Sequence, residues 1–513
     1  MISAMISAKI SAKITELSAE ALSGAIHRRQ ISCVEVMQAY LARIQRINPG
    51  FNAIVNLRDP AALLNEAAQC DRELGQGKGR AGSRGWMHGM PQAIKDTAQA
   101  AGLPTSFGSP LLADAVAAQD SLFVARMKAA GCIVIGKTNM PEFGLGSHTY
   151  NRLFGATPNA WDRSVSAGGS SGGAAVALAQ RLLPVADGSD FMGSLRNPAG
   201  WNHVFGMRPS QGRVPGWPKP DLWVSQLATD GPMARHVRDL AALLSTQSGL
   251  DARVPLSLAS PNTSLVPARQ GAQALKGLRI GWLADLQGHL AVEDGILQVC
   301  ESALRTMLQA GAEVLPLRPN FDPAQIWQAW LVWRRALVAQ TLAPLLREPG
   351  ARAQMKPEAL WECDQAQGLP FSDFMAASTV RSQLHGHLLA LFEQVDVLAL
   401  PVAQVWPFDL ALDWPKQIAG RAMDTYHRWM EVTIYATFAG LPAISMPAGF
   451  DPNGRWPMGI QLIGKPRGDA ELLRIAAAYE SLIGGMLKRQ PPEAGLMRKR
   501  RAAPSFLIPP RGA

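Results

Sequence analysis

The stretch Ser164 to Gly173 reads "SVSAGGSSGG" and runs straight into the apolar segment "AAVALAQRLL", Ala174 to Leu183. Glycine gives up more conformational freedom on folding than any other residue, so four glycines around two adjacent serines call for a cause. A phosphate cradle, a backbone that must come close to a substrate and a plain flexible loop are the three candidates. A P-loop needs Lys then Ser/Thr after its second glycine, and here Ala174 and Ala175 follow. The dinucleotide fingerprint needs an acidic residue about twenty positions on at a strand end, and Asp190, near that offset, sits in another glycine-containing loop. Gly168 to Gly172 also fits the G-x-S-x-G nucleophile elbow, but the preceding "NAWDRSVSA" is polar and irregular where that motif requires a buried strand.

Two flanking segments change the reading. Downstream, "DGSDFMGSLRNPAG" (Asp187 to Gly200) carries a second Gly-Ser pair at Gly193-Ser194, with Arg196 and Pro198 after it. Upstream, "HGMPQAIKD" (His88 to Asp96) places Lys95 at the end of a short apolar strand. Serine is a poor nucleophile until a base removes its proton. A lysine serves as that base if burial holds it neutral, and full desolvation lowers its pKa by up to about three to five units. Ser–Lys variants of the catalytic triad occur on several folds.

Taken together, Gly89 to Asp96, Gly168 to Gly173 and Gly188 to Ala199 resemble the three ordered motifs of the amidase signature family of serine hydrolases. The two serines, Ser170 and Ser194, are 194 − 170 = 24 positions apart, as in that family. "AGLPTSFGSP", "IVIGKTNMPEF", "FGATPNAWD", "GPMARHVRDLA", "LKGLRIG" and "AGLPAISMPAGF" with "GIQLIGKP" extend the resemblance over residues 14 to 485. It implies that Ser194 is the nucleophile, that Ser170 sits on a cis peptide bond and bridges Ser194 to neutral Lys95, and that the glycines let backbone approach substrate. It further implies an oxyanion hole from the backbone N–H groups of Phe191, Met192, Gly193 and Ser194. Ser171, Asp190 and Arg196 match positions that brace the loops, with Asp190 accepting from loop N–H groups. The family usually has two glycines before the nucleophile. Met192 departs from that pattern, adding bulk at a position that must avoid positive φ if methionine is to be tolerated.

The resemblance implies a large mixed, twisted β-sheet sandwiched between α-helices, and the sequence pattern agrees. "PQAIKD", "CIVIGK", "LRIGWL" and "VDVLALP" are strand candidates that alternate with helical runs such as "SLFVARMKAAG" and Ile296 to Ala310. "LPAISMPAGF" and "MGIQLIGKP" read as a late strand pair. Ser18 can cap a first helix. Ser32 and Glu35 form a capping box ahead of Val34, Met37, Leu41, Ile44 and Ile47, which repeat at helical spacing until Asn48-Pro49-Gly50. The organisation expected is a ragged extension over 1–13, an amidase domain over 14–485 and a basic Pro-rich tail over 486–513. Within that domain come a helical arm (14–60), a signature core (80–245), a Pro/Ser/Ala-rich linker (251–274) and a helical and strand part (275–485). Trp327, Trp330 and Trp333 are spaced to share one helical face; such a stripe is usually core, but in this family that segment often shapes the substrate pocket, so they are candidate pocket walls.

Composition bounds the rest. The 513 residues are 47% hydrophobic, enough for a large core, and the "MISAMISAKISAKI" start has no continuous apolar stretch of signal-peptide type. Five dispersed cysteines without a CxxC pair fit neither a disulfide framework nor a zinc site and point to a reducing compartment, the cytoplasm. The formal charge is +10, of which 7 − 1 = +6 lies in the last 26 residues around "RKRR". That tail is read as solvated, and neither nucleic acid nor membrane is an expected partner. No cofactor and no metal are expected, since His385 and His387 lack a metal-like pattern. The expected substrate is a small-molecule amide, with anilides, esters and carbamates open to the same acyl-enzyme chemistry. The family often forms homodimers. A catalytic subunit of a tRNA-dependent amidotransferase and a catalytically silent binding protein are the alternatives.

Overall fold

A computed structural model describes residues 13–76, 82–269 and 271–493. Residues 1–12 of the N-terminal repeat and the "RKRR" run lie outside the described residues, while 486–493 of the basic tail are described and Glu493 pairs with Arg43 and Arg46. Ser18 caps the helix Ala19–His27 by accepting from the Ala21 N–H at 3.1 Å. The capping box is closed at Ser32: its Oγ accepts from Glu35 N at 3.1 Å while Glu35 Oε2 accepts from Ser32 N at 2.8 Å, and the helix runs Cys33–Ile47. A third helix, Pro60–Gln76, packs against the second.

The strands divide between two main sheets. A small one has β1 (Ile54–Val55), β3 (Ile133–Thr138) and β2 (Pro91–Lys95) in that order, with β2 and β3 parallel. The large one has eight strands, in the order β4 (Ala186–Asp190), β6 (Thr229–Ala234), β5 (Phe205–Arg208), β12 (Ala443–Phe450), β13 (Pro457–Gly464), β9 (Val397–Pro401), β7 (Arg279–Trp282) and β8 (Glu313–Pro316). Strands β10 (Gln417–Ile418) and β11 (Arg421–Ala422) form a separate two-residue hairpin. The large sheet is mixed: β7 runs parallel to both neighbours, while the pairs from β4 to β9 are antiparallel.

Burial on both faces explains the continuous apolar strands. In β9, Val397 and Ala399 enter one core with Cys300, Leu304 and Met307 of the helix Ile296–Gln309. Leu398 and Leu400 enter the other, with Leu384, Leu388 and Leu391 of the helix Phe371–Gln394. The period-two alternation of a strand thus feeds two helical layers. Residues 251–269 contain neither helix nor strand. No helix among the described residues is long and apolar enough to cross a membrane.

Candidate active site

The glycine–serine stretch runs as a loop into the helix Gly172–Ala179, every residue of which is buried. Its glycines answer to the protein's own packing. A Cβ at Gly173 would lie 2.5 Å from Asn139 N and 2.6 Å from Ala53 O; one at Gly168, whose φ is +75°, would lie 2.5 Å from Asn197 Oδ1. Their absence of side chains lets neighbouring loops of the same chain close on each other, a cause for the glycines that the sequence reading did not include.

Lys95 ends β2 and has no exposed surface. Its Nζ lies 2.7 Å from Ser170 Oγ, 2.9 Å from Ser171 Oγ, 2.9 Å from Ser189 Oγ and 3.4 Å from the Ser189 carbonyl. The peptide bond Gly169–Ser170 is cis. Among the described residues no carboxylate forms an ion pair with this amine; Asp187 instead accepts from the Lys95 backbone N–H at 3.0 Å. Burial pulls the lysine down from 10.5 to about 7, with Asp230, Asp187 and Asp190 opposing the shift from a distance. A substantial neutral fraction near neutral pH follows.

Ser194 follows at the turn after β4, almost buried, and its carbonyl accepts from the Ser171 N–H at 3.2 Å. Its hydroxyl makes no hydrogen bond to another described residue, so the structure shows no side-chain link between Ser194 and the Lys95–Ser170 pair. Asp190 organises the intervening loop. Its carboxylate accepts from Gly193 N (2.9 Å), Leu195 N (3.2 Å), and Arg196 Nε and Nη2 (both 3.0 Å), with Arg208 Nη1 3.6 Å away. Burial alone would raise its pKa, but Arg196 and Arg208 overcome that and hold it at about 2. Arg196 continues to Gln461 Oε1 (2.6 Å) and Thr437 Oγ1 (3.0 Å).

These contacts revise the predicted oxyanion set. The Gly193 N–H is spent on Asp190, whereas those of Phe191, Met192 and Ser194 have no acceptor among the described residues. The left-handed position is Gly193, at φ +82°, where a Cβ would meet Thr433 Cγ2 at 2.6 Å. Met192 keeps an ordinary φ, so the departure from two glycines carries no backbone strain.

A sequence profile of the family described as Amidase matches residues 35–473. The chain belongs to the Amidase family. Its relatives include an acylamidase of Rhodococcus erythropolis, 33% identical over 91% of this chain and 95% of that protein. Another is a subunit of the glutamyl-tRNA(Gln) amidotransferase of Thermus thermophilus, 34% identical over 90% of this chain and 96% of that protein. Among solved structures, a bacterial aryl acylamidase of the amidase signature family superposes with a TM-score of 0.84 at 29% identity, covering 91% of this chain and 96% of that one. This family membership marks the chain as one of a group of enzymes that act on amides, and the mixed sheet between helices is the fold they share.

Beside Lys95 and Ser170 lies a cavity of about 320 Å³. Ser170 and Ser189 form part of its wall, with Phe107, Phe143, Phe191 and Trp217. The helix Pro323–Leu342 closes it with Leu337, Val338, Thr341 and Leu342. The tryptophans of that helix are elsewhere: Trp327, Trp330 and Trp333 are packed in the core and do not line this cavity. Their spacing does place them on one buried face. Trp330 supports the wall from behind, 5.5 Å ring to ring from Phe191.

Sequence reasoning missed a second charged cluster behind the same loop. Buried Arg334 donates from Nε to Glu362 Oε1 (2.6 Å) and from Nη2 to Tyr426 Oη (2.6 Å), and Tyr426 donates to Glu362 Oε1 (2.7 Å). Arg334 Nη1 reaches Met192 Sδ at 3.8 Å, and its guanidinium lies 5.4 Å from the Phe191 ring centre. The only sequence signal was an arginine following the tryptophan stripe. Elsewhere, Cys70, Glu73 and His88 bring potential metal-ligand atoms together. All but the thiol are already partnered: Arg84 holds Glu73, and His88 bonds the Cys70 carbonyl and the Arg84 N–H.

Proposed function

We propose that this protein is a stand-alone amidase that cleaves carboxylic amides through an acyl-enzyme on Ser194. The observation that carries the reading is the fully buried Lys95 amine, 2.7 Å from Ser170 Oγ and free of any ion-paired carboxylate. In this reading Ser194 Oγ attacks the amide carbon. Its proton passes through Ser170 Oγ to neutral Lys95, and the oxyanion is held by the N–H groups of Phe191, Met192 and Ser194. Collapse breaks the C–N bond, with the proton returning along the same path to the departing amine. Water then attacks the ester with the same relay, giving acid and restoring Ser194. The relay requires a hydrogen bond between Ser194 and Ser170 to form in the substrate complex; catalytic hydrogen bonds often tighten on binding. Such proton relays contribute about 10²–10⁴-fold in rate.

Treatment with a fluorophosphonate followed by intact-mass and peptide analysis tests this. We expect one adduct, on Ser194, absent from Ser194→Ala and formed at least 100-fold more slowly in Lys95→Ala, about the lower bound of that relay contribution. A well-folded protein that takes no adduct would favour a silent binding protein instead. The 34% likeness to an amidotransferase subunit supports a second reading, in which the chain releases ammonia for partner subunits. The aromatic and aliphatic part of the cavity wall, Phe107, Phe143, Phe191, Trp217 and Leu337, favours the first. Stoichiometric partner chains recovered with the native protein would reverse that preference.

A further inference from the structure

Asp230 lies on β6, in register opposite Ser189 of β4. Ser189 is one of the three serines that hold the Lys95 amine, so Asp230 flanks the reacting centre, and its side chain contributes to the wall of the same cavity. Among the described residues its carboxylate has neither a hydrogen bond nor an ion pair, although Asp190 and Asp187 nearby are fully engaged with N–H donors. Two lysine amines lie near it. Lys95 is committed to serine hydroxyls. Lys219, also on the cavity wall, folds back over Gly216, where its Nζ would be 2.6 Å from an added Cβ. It forms no ion pair with Asp230. The rest of the wall mixes apolar and aromatic side chains, Phe107, Phe143, Leu145, Phe191, Trp217 and Leu342, with the neutral polar residues Thr97, Ser121, Ser225, Gln340 and Thr341.

Asp230 is partly covered rather than buried, and a half-covered carboxylate that has no protein donor gains from a ligand that supplies a charged one. We propose that Asp230 is the specificity-determining residue of this cavity, selecting amides whose apolar body carries a protonated amine. The assignment of the cavity as a substrate site rests on the amidase reading above. The ammonium donates to Asp230, the hydrocarbon or aromatic part fills the space between Phe143, Phe191 and Trp217, and the amide lies toward Ser170.

Calorimetric binding to Ser194→Ala protein tests the proposal without turnover. Two matched pairs cover the two sides of the amide: 4-(aminomethyl)acetanilide against 4-methylacetanilide, and 6-aminohexananilide against hexananilide. Hydrogen bonds to charged groups predict that in one pair the ammonium member binds at least about tenfold tighter. Adding Asp230→Asn should bring that ratio to within about threefold of one, and Asp230→Glu should restore part of it. Equal binding within both pairs, no measurable binding of either ammonium compound at millimolar concentration, or a ratio unchanged in Asp230→Asn would each overturn the proposal. Wild-type hydrolysis of the same four compounds is scored separately. Absence of turnover with the binding preference intact, together with no fluorophosphonate adduct on wild-type Ser194, would remove the amidase reading and leave Asp230 as a recognition residue.

Discussion

Two buried charged clusters hold the loop from Asp190 to Arg196, one from each side, and they are built differently. The inner cluster, Asp190 with Arg196 and Arg208, grips backbone: Asp190 takes the N–H groups of Gly193 and Leu195. The outer cluster, Arg334 with Glu362 and Tyr426, touches only side chains, the Met192 sulfur and the Phe191 ring. The inner one therefore fixes the path of the chain around Ser194. The outer one fixes the wall behind it. Position of the backbone amides and shape of the cavity are set by separate groups.

Removing a single arginine from the inner cluster should have the largest effect. Arg196→Ala leaves Asp190 buried with half of its charge compensation gone, and loss of one partner of a buried ion pair costs about 3–5 kcal/mol. Urea denaturation should report that loss, together with loss of fluorophosphonate labelling under conditions where the protein remains folded. A variant with unchanged labelling rate would break the distinction. The outer pair should be replaceable as a unit. Arg334→Met alone strands Glu362 and should cost a similar amount, whereas Arg334→Met with Glu362→Leu should recover most of it, because apolar replacement of a whole buried pair is often neutral. The same double replacement at Asp190 and Arg196 cannot recover, since two backbone N–H groups lose their acceptor. A double variant of the outer pair as unstable as the single one would show the two clusters to be alike.

The smallest effect concerns pH. In the proposed mechanism neutral Lys95 is the active form, so kcat/KM for an uncharged amide should rise about tenfold per pH unit toward about 7 and level off above it. Asp187, raised to about 6 by burial, changes charge in the lower part of that window. The negative charge of Asp190 raises the Lys95 pKa, so Asp190→Asn should move the inflection to lower pH. The Arg334→Met, Glu362→Leu pair should leave it in place. Coincident shifts in both variants would mean that the outer cluster also acts on the base.

The same contrast explains what could be read from the sequence. Local order carried far: the capping box at Ser32, the strand ending at Lys95 and the helical phase of Trp327, Trp330 and Trp333 follow from spacing over a few residues. The resemblance supplied Lys95, Ser170 and Ser194, and the structure sets the first two in contact and Ser194 beside them. Orientation within the loop was not legible. Whether the Gly193 amide faces substrate or Asp190 depends on φ at one glycine packed against Thr433, far along the chain. Arg334, Glu362 and Tyr426 escaped because they converge from separate segments, and nothing in the periodicity of one reveals the others. The packing role of the glycines escaped for a related reason: their crowding neighbours, Ala53, Asn139 and Asn197, come from elements distant in sequence.

The helix Pro323–Leu342 is divided along its length. Its first turns are anchored by three buried indoles and Arg334, while Val338, Gln340 and Thr341 near its end meet the cavity and are only partly covered. On the proposed reading of this cavity, a descendant of this gene acquires a new diet by altering a single turn of helix, with the fold's foundations and the proposed reacting serines left untouched. Diversification of this lineage should be recorded there first.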